Sequence, residues 1–229
     1  MMPRAVIAIL LLLCCAIAQA REYGHYDIKS LVTVEKSTLG KPSAKIDNVY
    51  FDQMLDDLGS HAYQWPVNFD STDDRHRAEH DVVSFSTALD PLADNFAGSP
   101  RMLLRLAMLH AMGHNLDIAG SSDKAVAIFT KLLQVAPNDP RANLEFGAFY
   151  AKTTKVAEGI PFLEKAKALG AANADYWLGV SYMTQGEKAK ALENLESYAK
   201  RVPTDANVER MIDAVRNDKV QNKTIQPNQ

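Results

Sequence analysis

The sequence predicts an all-α protein built from stacked pairs of helices. Three glycines carry this prediction. Gly113, Gly147 and Gly179 lie 34 and 32 residues apart, each in a first helix that comes shortly before a second, amphipathic helix. A repeat of this length is typical of solenoids, in which each helix pair buries its apolar residues against the neighbouring pairs. Such extended surfaces usually bind other molecules and rarely catalyse reactions.

The first twenty residues differ from the rest of the chain and are expected to be removed. Arg4 gives the start a positive charge, the 13 residues from 5 to 17 are apolar, and Ala18-Gln19-Ala20 matches a cleavage site. This is the layout of a secretory signal peptide. The alternative, an uncleaved membrane anchor, needs roughly 20 apolar residues to span a bilayer. We therefore expect an exported chain with no stable membrane insertion after cleavage.

The composition of the predicted exported chain excludes several kinds of functional site and partner. Cys14 and Cys15 both lie within the predicted signal peptide, so the mature chain has no disulfide, thiolate metal site or cysteine nucleophile. Removing Arg4 changes the balance from 25 basic against 28 acidic residues to 24 against 28, a formal charge of −4. A mildly acidic chain of mixed charge lacks the basic surface of a nucleic-acid binder or of an anionic-lipid binder.

The region before the repeats divides into an arm and a helical part. Residues 21–46 are predicted to form an extended arm. Within this arm, residues 26–35 carry β-branched side chains that suit a short strand. Residues 37–45 contain Gly40 and Pro42 and are predicted to form a loop. Residues 47–98 predict a helical region with helices at about 47–62 and 72–89, the second with Thr72 as its N-cap.

The predicted solenoid spans residues 99–216. Ser99-Pro100 is a helix start signal, because proline suits the first helical position. Ser122 is the expected N-cap of the next helix, at 123–135. Further helices are predicted at about 141–152, 156–169, 174–185 and 188–201. Asp205 caps a final helix that ends at about 215, and residues 217–229 predict a disordered tail.

Three units share small, apolar and terminating residues at matching positions. Unit 172–205 has Leu178-Gly179, Tyr182, Gly186, Ala191, Leu195 and Pro203. Unit 106–139 has Gly113, Gly120, Ala125, Phe129 and Pro137. Unit 140–171 keeps Phe146-Gly147, Tyr150, Leu163 and Ala166, but it has Gly159 where alanine is expected, carries Pro161 and is two residues shorter. These residues resemble the tetratricopeptide repeat family.

The resemblance implies a right-handed α-solenoid of three helix pairs, closed by a capping helix at 206–215. It also implies that the first helix of each pair lines a concave groove that binds protein or peptide segments. By position, the groove residues of the three units are His110, His114 and Asp117, then Arg141, Leu144, Ala148 and Lys152, and then Tyr176, Val180, Met183 and Thr184.

These groove residues favour one kind of partner. Relatives that bind a terminal carboxylate use paired lysine and asparagine residues at the groove positions. In this chain the first pair of groove residues is His110 and His114, and most of the other groove residues are apolar. A groove of this composition suits an apolar helix or an extended segment. The alternative is that the N-terminal region of the same chain fills the groove.

Two pairs of histidines are the remaining candidates for a metal-binding or catalytic site. His76 and His80, and likewise His110 and His114, are four residues apart, which places both imidazoles on one helix face as a metal site would need. Neither pair has the glutamate of a metalloprotease motif, and no nucleophile or nucleotide motif stands out. We expect a non-enzymatic binding scaffold or assembly factor without a cofactor, and the resemblance to envelope proteins with such repeats implies the bacterial periplasm. The alternative is a metal-dependent or hydrolytic envelope protein that uses these pairs.

Overall fold

The computed structural model describes residues 22–36 and 42–217. The predicted signal peptide at 1–20 lies outside these ranges, as does nearly all of the predicted tail at 217–229. Within them the fold is an all-α solenoid of tetratricopeptide-like helix pairs, as predicted. No helix in the described part of the chain is long and apolar enough to cross a membrane.

The N-terminal arm is more ordered than the sequence predicts. Helix α1 (Ile28–Leu31) leads into strand β1 (Val32–Lys36), which pairs antiparallel with β2 (Pro42–Ile46) in a register that places Val32 opposite Ile46. The loop predicted for 37–45 was therefore wrong for residues 42–45. Two short strands leave edges exposed, and Pro42 is tolerated as the first residue of such a strand.

Two longer helices follow the hairpin. Helix α2 (Asn48–Ala62) is capped by Asp47, whose side chain accepts from the backbone N–H groups of Val49 and Tyr50 at 3.0 Å each. Helix α3 is Thr72–Leu89. Its N-cap is Ser71 rather than the predicted Thr72, because the Ser71 hydroxyl accepts from the N–H of Asp74 at 3.1 Å. Two 3-10 turns, Asp90–Leu92 and Asn95–Gly98, connect α3 to the repeats.

Seven helices form the repeats and their cap. They are α4 (Pro100–Asn115), α5 (Ser121–Val135), α6 (Pro140–Ala151), α7 (Val156–Ala168), α8 (Ala174–Thr184), α9 (Lys188–Arg201) and α10 (Ala206–Arg216). The pairs α4–α5, α6–α7 and α8–α9 pack most extensively, and α10 packs against α9. Ser122 is not a cap: Gly120 holds the N-cap position with φ 77°, and α5 begins one residue later.

The three glycines lie at close contacts between paired helices. A Cβ atom on Gly147 would lie 2.4 Å from Leu163 Cγ, and one on Gly179 would lie 2.6 Å from Leu195 Cγ. At Gly113 the nearest atom would be Ser121 Oγ at 2.8 Å. The structure also explains Gly159. The α6 and α7 backbones approach so closely that a Cβ there would lie 2.8 Å from the Gly147 carbonyl oxygen, so alanine does not fit.

Two apolar clusters fill the interior of the described chain. The first is continuous from α1 to α6, so the helices before the repeats share a core with the first unit. The second joins α6, α7, α8, α9 and α10. The N-terminal region is therefore packed onto the repeats rather than built around a core of its own.

Candidate functional site: the first-helix face

Helices α4, α6 and α8 are the first helices of the three units, and they form one surface because α4 contacts α6 and α6 contacts α8. We call this surface the first-helix face. The predicted groove residues differ in their access to solvent. Asp117, Arg141 and Thr184 are exposed, whereas His110 and Ala148 are buried. The half-buried members are His114, Leu144, Lys152, Tyr176, Val180 and Met183.

The apolar part of the face lies on α6 and α8. Leu144, Tyr176, Val180 and Met183 all pack on the second apolar cluster while keeping part of their surface exposed. Tyr176 is held by aromatic contacts, with ring centroids 5.1 Å from Trp177 and 5.4 Å from Tyr198. This is a supported apolar surface that remains accessible, as a protein-binding groove requires.

The end of α2 lies on the same face. Tyr63, the residue that follows α2, packs on the second cluster and donates its hydroxyl to Glu145 Oε2 at 2.8 Å. The Lys152 ammonium lies 4.1 Å from the Tyr63 ring centroid and 5.3 Å from that of Trp177. Tyr63 and Trp177 also meet edge to face, with centroids 6.4 Å apart. Part of the face is thus covered by the chain itself.

Backbone carbonyls of α2 are bound there as well. Lys152 Nζ donates to the Tyr63 carbonyl at 2.8 Å. Asn115 Nδ2, at the end of α4, donates to the carbonyls of Ala62 and Tyr63 at 2.8 and 3.1 Å. All three first helices therefore contact the end of α2. Of the two occupants considered from sequence, the N-terminal region holds this part of the face.

Burial changes the acid–base chemistry of this contact. Removing the Lys152 ammonium from water lowers its pKa to about 8, and the Glu145 carboxylate opposes that shift. The same burial raises the pKa of the Tyr63 hydroxyl, and the neighbouring Glu145 raises it further. The hydroxyl therefore stays a hydrogen-bond donor at neutral pH, as its bond to Glu145 requires.

Arg141 borders a cleft between α2 and the repeats. The cleft has a volume of about 210 Å³ and is lined by charged residues that include Asp52 and Arg105. Asp52 accepts from Arg105 Nε at 2.6 Å and from Arg101 at 2.9 Å, and the bond from Arg105 is the main reason why the Asp52 pKa is lowered. The exposed Arg141 guanidinium lies 4.0 Å from Glu145.

The surroundings of the groove residues predicted from the first unit indicate a role in packing more than in binding. His110 Nε2 bonds Asp90 Oδ1 at 2.7 Å, while its buried Nδ1 has no hydrogen-bond partner among the described residues. Burial lowers the pKa of His110 and that of His114, whose ring lies 5.6 Å from Phe149. Asp117 has φ 62° in the turn after α4. His110 is thus a core residue that offers no surface to a partner.

The other histidine pair lies on α3, outside the three first helices. His76 and His80 are exposed on α3 and, with His25, border a cavity of about 310 Å³. Across residues 22–36 and 42–217, no group of three or more histidine, aspartate or glutamate side chains is placed to hold a metal ion. Nothing in the geometry therefore favours a metal site at either pair.

Four residues of the site were not foreseen from sequence: Tyr63, Asn115, Glu145 and Trp177. Trp177 follows the groove position Tyr176, and Glu145 follows Leu144, so repeat spacing places both beside the groove. Tyr63 is separated from Glu145 by 82 residues and from Lys152 by 89 residues. No local pattern predicts a contact over that distance.

Comparison with known proteins identifies the class of the repeats. Residues 173–205 match a tetratricopeptide repeat model, which supports the resemblance seen in the sequence. A segment of 87 residues, 38% of this chain, is 30% identical to the human (Homo sapiens) aspartyl/asparaginyl beta-hydroxylase. The segment covers 11% of that protein's length. No solved structure matches the chain. The chain therefore contains a tetratricopeptide repeat, and such repeats are generally modules of protein–protein interaction.

Proposed function

We propose that this protein is a non-enzymatic scaffold or assembly factor of the cell envelope that binds a protein or peptide segment on its first-helix face. The observation that carries the proposal is the apolar surface of Leu144, Tyr176, Val180 and Met183. These side chains are supported from below by the second cluster and remain partly exposed, in a chain that contains a tetratricopeptide repeat.

The composition of the face supports a particular partner. An amphipathic helix or an extended segment can lay apolar side chains on this surface. Arg141 is exposed at the border of the face, where it can pair with an acidic side chain of the partner. The mildly acidic chain, with 25 basic against 28 acidic residues, gives no support to nucleic acid as the partner.

The proposed compartment is the bacterial periplasm. It rests on the signal-peptide layout of residues 1–20 and on the resemblance to envelope proteins that carry such repeats. A cysteine-free mature chain suits an oxidising compartment, because it has no thiol to oxidise.

A capture experiment tests the proposal. Tagged protein without residues 1–20 is crosslinked in an envelope extract, and the captured proteins are compared between the wild type, Tyr176→Ala and Val135→Ala. Val135 is exposed at the end of α5, a second helix, and serves as the matched control. We expect Tyr176→Ala to reduce capture by about tenfold, as the loss of an aromatic contact at an interface centre does. Equal capture by both variants would contradict the assignment of the face.

A further inference from the structure

The contact of Tyr63 with the first-helix face has the composition of a recognition site rather than of simple packing. One residue meets a carboxylate, an ammonium group and an indole ring, each supplied by a different position of the repeats. We propose that Glu145, Lys152 and Trp177 form a pocket for a tyrosine side chain, that Tyr63 fills it in the free protein, and that a partner segment replaces Tyr63 with a tyrosine of its own. This inference rests on the proposed function, since it names what the face recognises.

The pocket distinguishes tyrosine from phenylalanine. Glu145 Oε2 accepts the Tyr63 hydroxyl at 2.8 Å, and a phenylalanine would leave that carboxylate oxygen without this donor. Sites that hydrogen-bond a hydroxyl discriminate strongly against the analogue that lacks it, because their own polar group is left unpaired. The ring itself is held by the Lys152 ammonium, 4.1 Å from its centroid.

The pocket also binds the backbone of the tyrosine residue. Lys152 Nζ donates to the Tyr63 carbonyl at 2.8 Å while it lies over the ring of the same residue. Asn115 Nδ2 adds a second donor to that carbonyl at 3.1 Å. Every peptide that presents a tyrosine presents a carbonyl as well. The same two donors can therefore serve a partner.

Tyr63 can leave the pocket without unpacking α2. The helix is anchored by fully buried side chains at Phe51, Met54 and Leu58, whereas Tyr63 follows its last residue. The next three residues, 64–66, are exposed. An incoming tyrosine makes the contacts that Tyr63 gives up, so the exchange is nearly balanced. Additional contacts of the partner with Tyr176 and Val180 then decide the equilibrium.

The competing explanation is that Tyr63 is a permanent clamp that fixes α2 to the repeats. The two explanations differ in what happens when the Tyr63 side chain is removed. An exchangeable pocket stays intact in Tyr63→Ala and accepts a free tyrosine derivative. A structural clamp leaves either a collapsed site or an unfolded protein.

Titration with N-acetyl-L-tyrosinamide separates them. The probe is added to the full mature chain as wild type and as Tyr63→Ala, and binding is followed through the NMR signal of the Trp177 indole N–H. We expect the variant to bind the probe about tenfold more tightly than the wild type, because the resident side chain no longer competes. N-acetyl-L-phenylalaninamide should bind the variant about tenfold more weakly than the tyrosine probe. Adding Lys152→Met to Tyr63→Ala should remove binding.

Three results would overturn the inference. These are no binding by a folded Tyr63→Ala, equal binding by the variant and the wild type, and equal binding of the two probes. If Tyr63→Ala does not fold, Tyr63→Phe, which keeps the ring, tests whether the side chain is exchangeable. This variant lacks the hydroxyl that Glu145 accepts, so it should bind the tyrosine probe more tightly than the wild type does, and no gain counts against exchange.

Failure here can be told apart from failure of the proposed function. If the tyrosine probe does not bind but capture of an envelope protein still depends on Tyr176, the face binds a partner and the pocket is a clamp. If the probe binds Tyr63→Ala but no capture depends on Tyr176, the pocket exists and the proposed function fails.

Discussion

Lys152 is the residue whose environment departs most from that of an ordinary surface lysine on this face. Its ammonium group lies 4.1 Å from the Tyr63 ring centroid and 5.3 Å from that of Trp177, and it donates to a backbone carbonyl. Burial lowers its pKa to about 8 from the usual lysine value of 10.5. The lowered pKa means that the buried site disfavours the ammonium form, so deprotonation above this value relieves the cost of burying the charge even though it removes the cation–π contact.

A titration checks the environment of Lys152. We expect one lysine side chain of the mature protein to titrate at about pH 8, as followed by NMR of the labelled amines. Lys152→Met should remove that signal, whereas Lys155→Met, at an exposed position nearby, should leave it unchanged. A Lys152 signal that titrates with the other lysines would show that its ammonium group is solvated.

The same shift makes stability depend on pH. Between about pH 8 and the unfolded pKa of 10.5, the unfolded chain holds a proton on Lys152 that the folded protein has released. The free energy of unfolding therefore rises with pH in this window, by about 1.5 kcal/mol between about pH 8 and about pH 9.5. Denaturant unfolding of the wild type and of Lys152→Met measures this difference. The gain should be absent from the variant, and equal pH slopes would contradict it.

At the level of elements, close contact between paired helices determines the repeat geometry. Leu195 of α9 sits where a side chain on Gly179 of α8 would be, and Leu163 of α7 does the same for Gly147 of α6. This contact was predictable from sequence, since small residues at a fixed period opposite large ones show where helices meet. The ends of the repeat helices were predictable to within two residues for the same reason.

A pair of alanine substitutions tests this contact. Gly179→Ala places a Cβ 2.6 Å from Leu195 and should cost about 2 kcal/mol of unfolding free energy through overpacking. Gly59→Ala in α2 is the control, since its nearest neighbour would be Met112 Sδ at 3.9 Å. That change should stabilise the protein by up to about 1 kcal/mol, the usual helix preference of alanine over glycine. Urea unfolding checks both, and a neutral Gly179→Ala would refute the close contact.

Other elements were not predictable from local pattern. The β1–β2 hairpin depends on two segments meeting through their backbones, and residues 42–45 carry loop-forming chemistry that this pairing overrides. The position of α2 depends on the Arg105–Asp52 pair and on Asn115, which join segments about fifty residues apart. The apolar period of α2 shows that one side is buried, but not which helix covers it.

At the level of the whole molecule, the solenoid is closed at each end by non-repeat elements. The N-terminal helices share the first apolar cluster with α4 and α5, and α10 closes the second cluster with Val208, Ile212 and Val215. Stacked repeats need such caps, because each terminal pair would otherwise expose its apolar side. The resemblance seen in the sequence implied a capping helix at 206–215.

Removing one capping side chain tests the role of α10. Ile212 is buried at 3% exposure, and Ile212→Ala should cost about 3 kcal/mol of unfolding free energy. Glu209→Ala on the exposed side of the same helix should change it by less than about 0.5 kcal/mol. Thermal unfolding of the two variants is the measurement. Equal melting temperatures would mean that α10 does not support the repeats.

The proposed export concerns the whole chain and can be measured directly. We expect bacterial expression of the full sequence to yield a protein whose first residue is Arg21, because Ala18-Gln19-Ala20 matches a signal-peptidase site. N-terminal sequencing of the periplasmic fraction checks this. Intact protein that starts at Met1 in the membrane fraction would favour the anchor instead.

Site-specific crosslinking tests the central claim, that the first-helix face binds a protein segment, most directly. A photo-reactive residue is placed at Val180 on the face or at Val135 on α5, and the protein is irradiated in the cells that express it. We predict a discrete crosslinked protein from position 180 that is absent from position 135. No product from position 180, or the same products from both positions, would contradict the account.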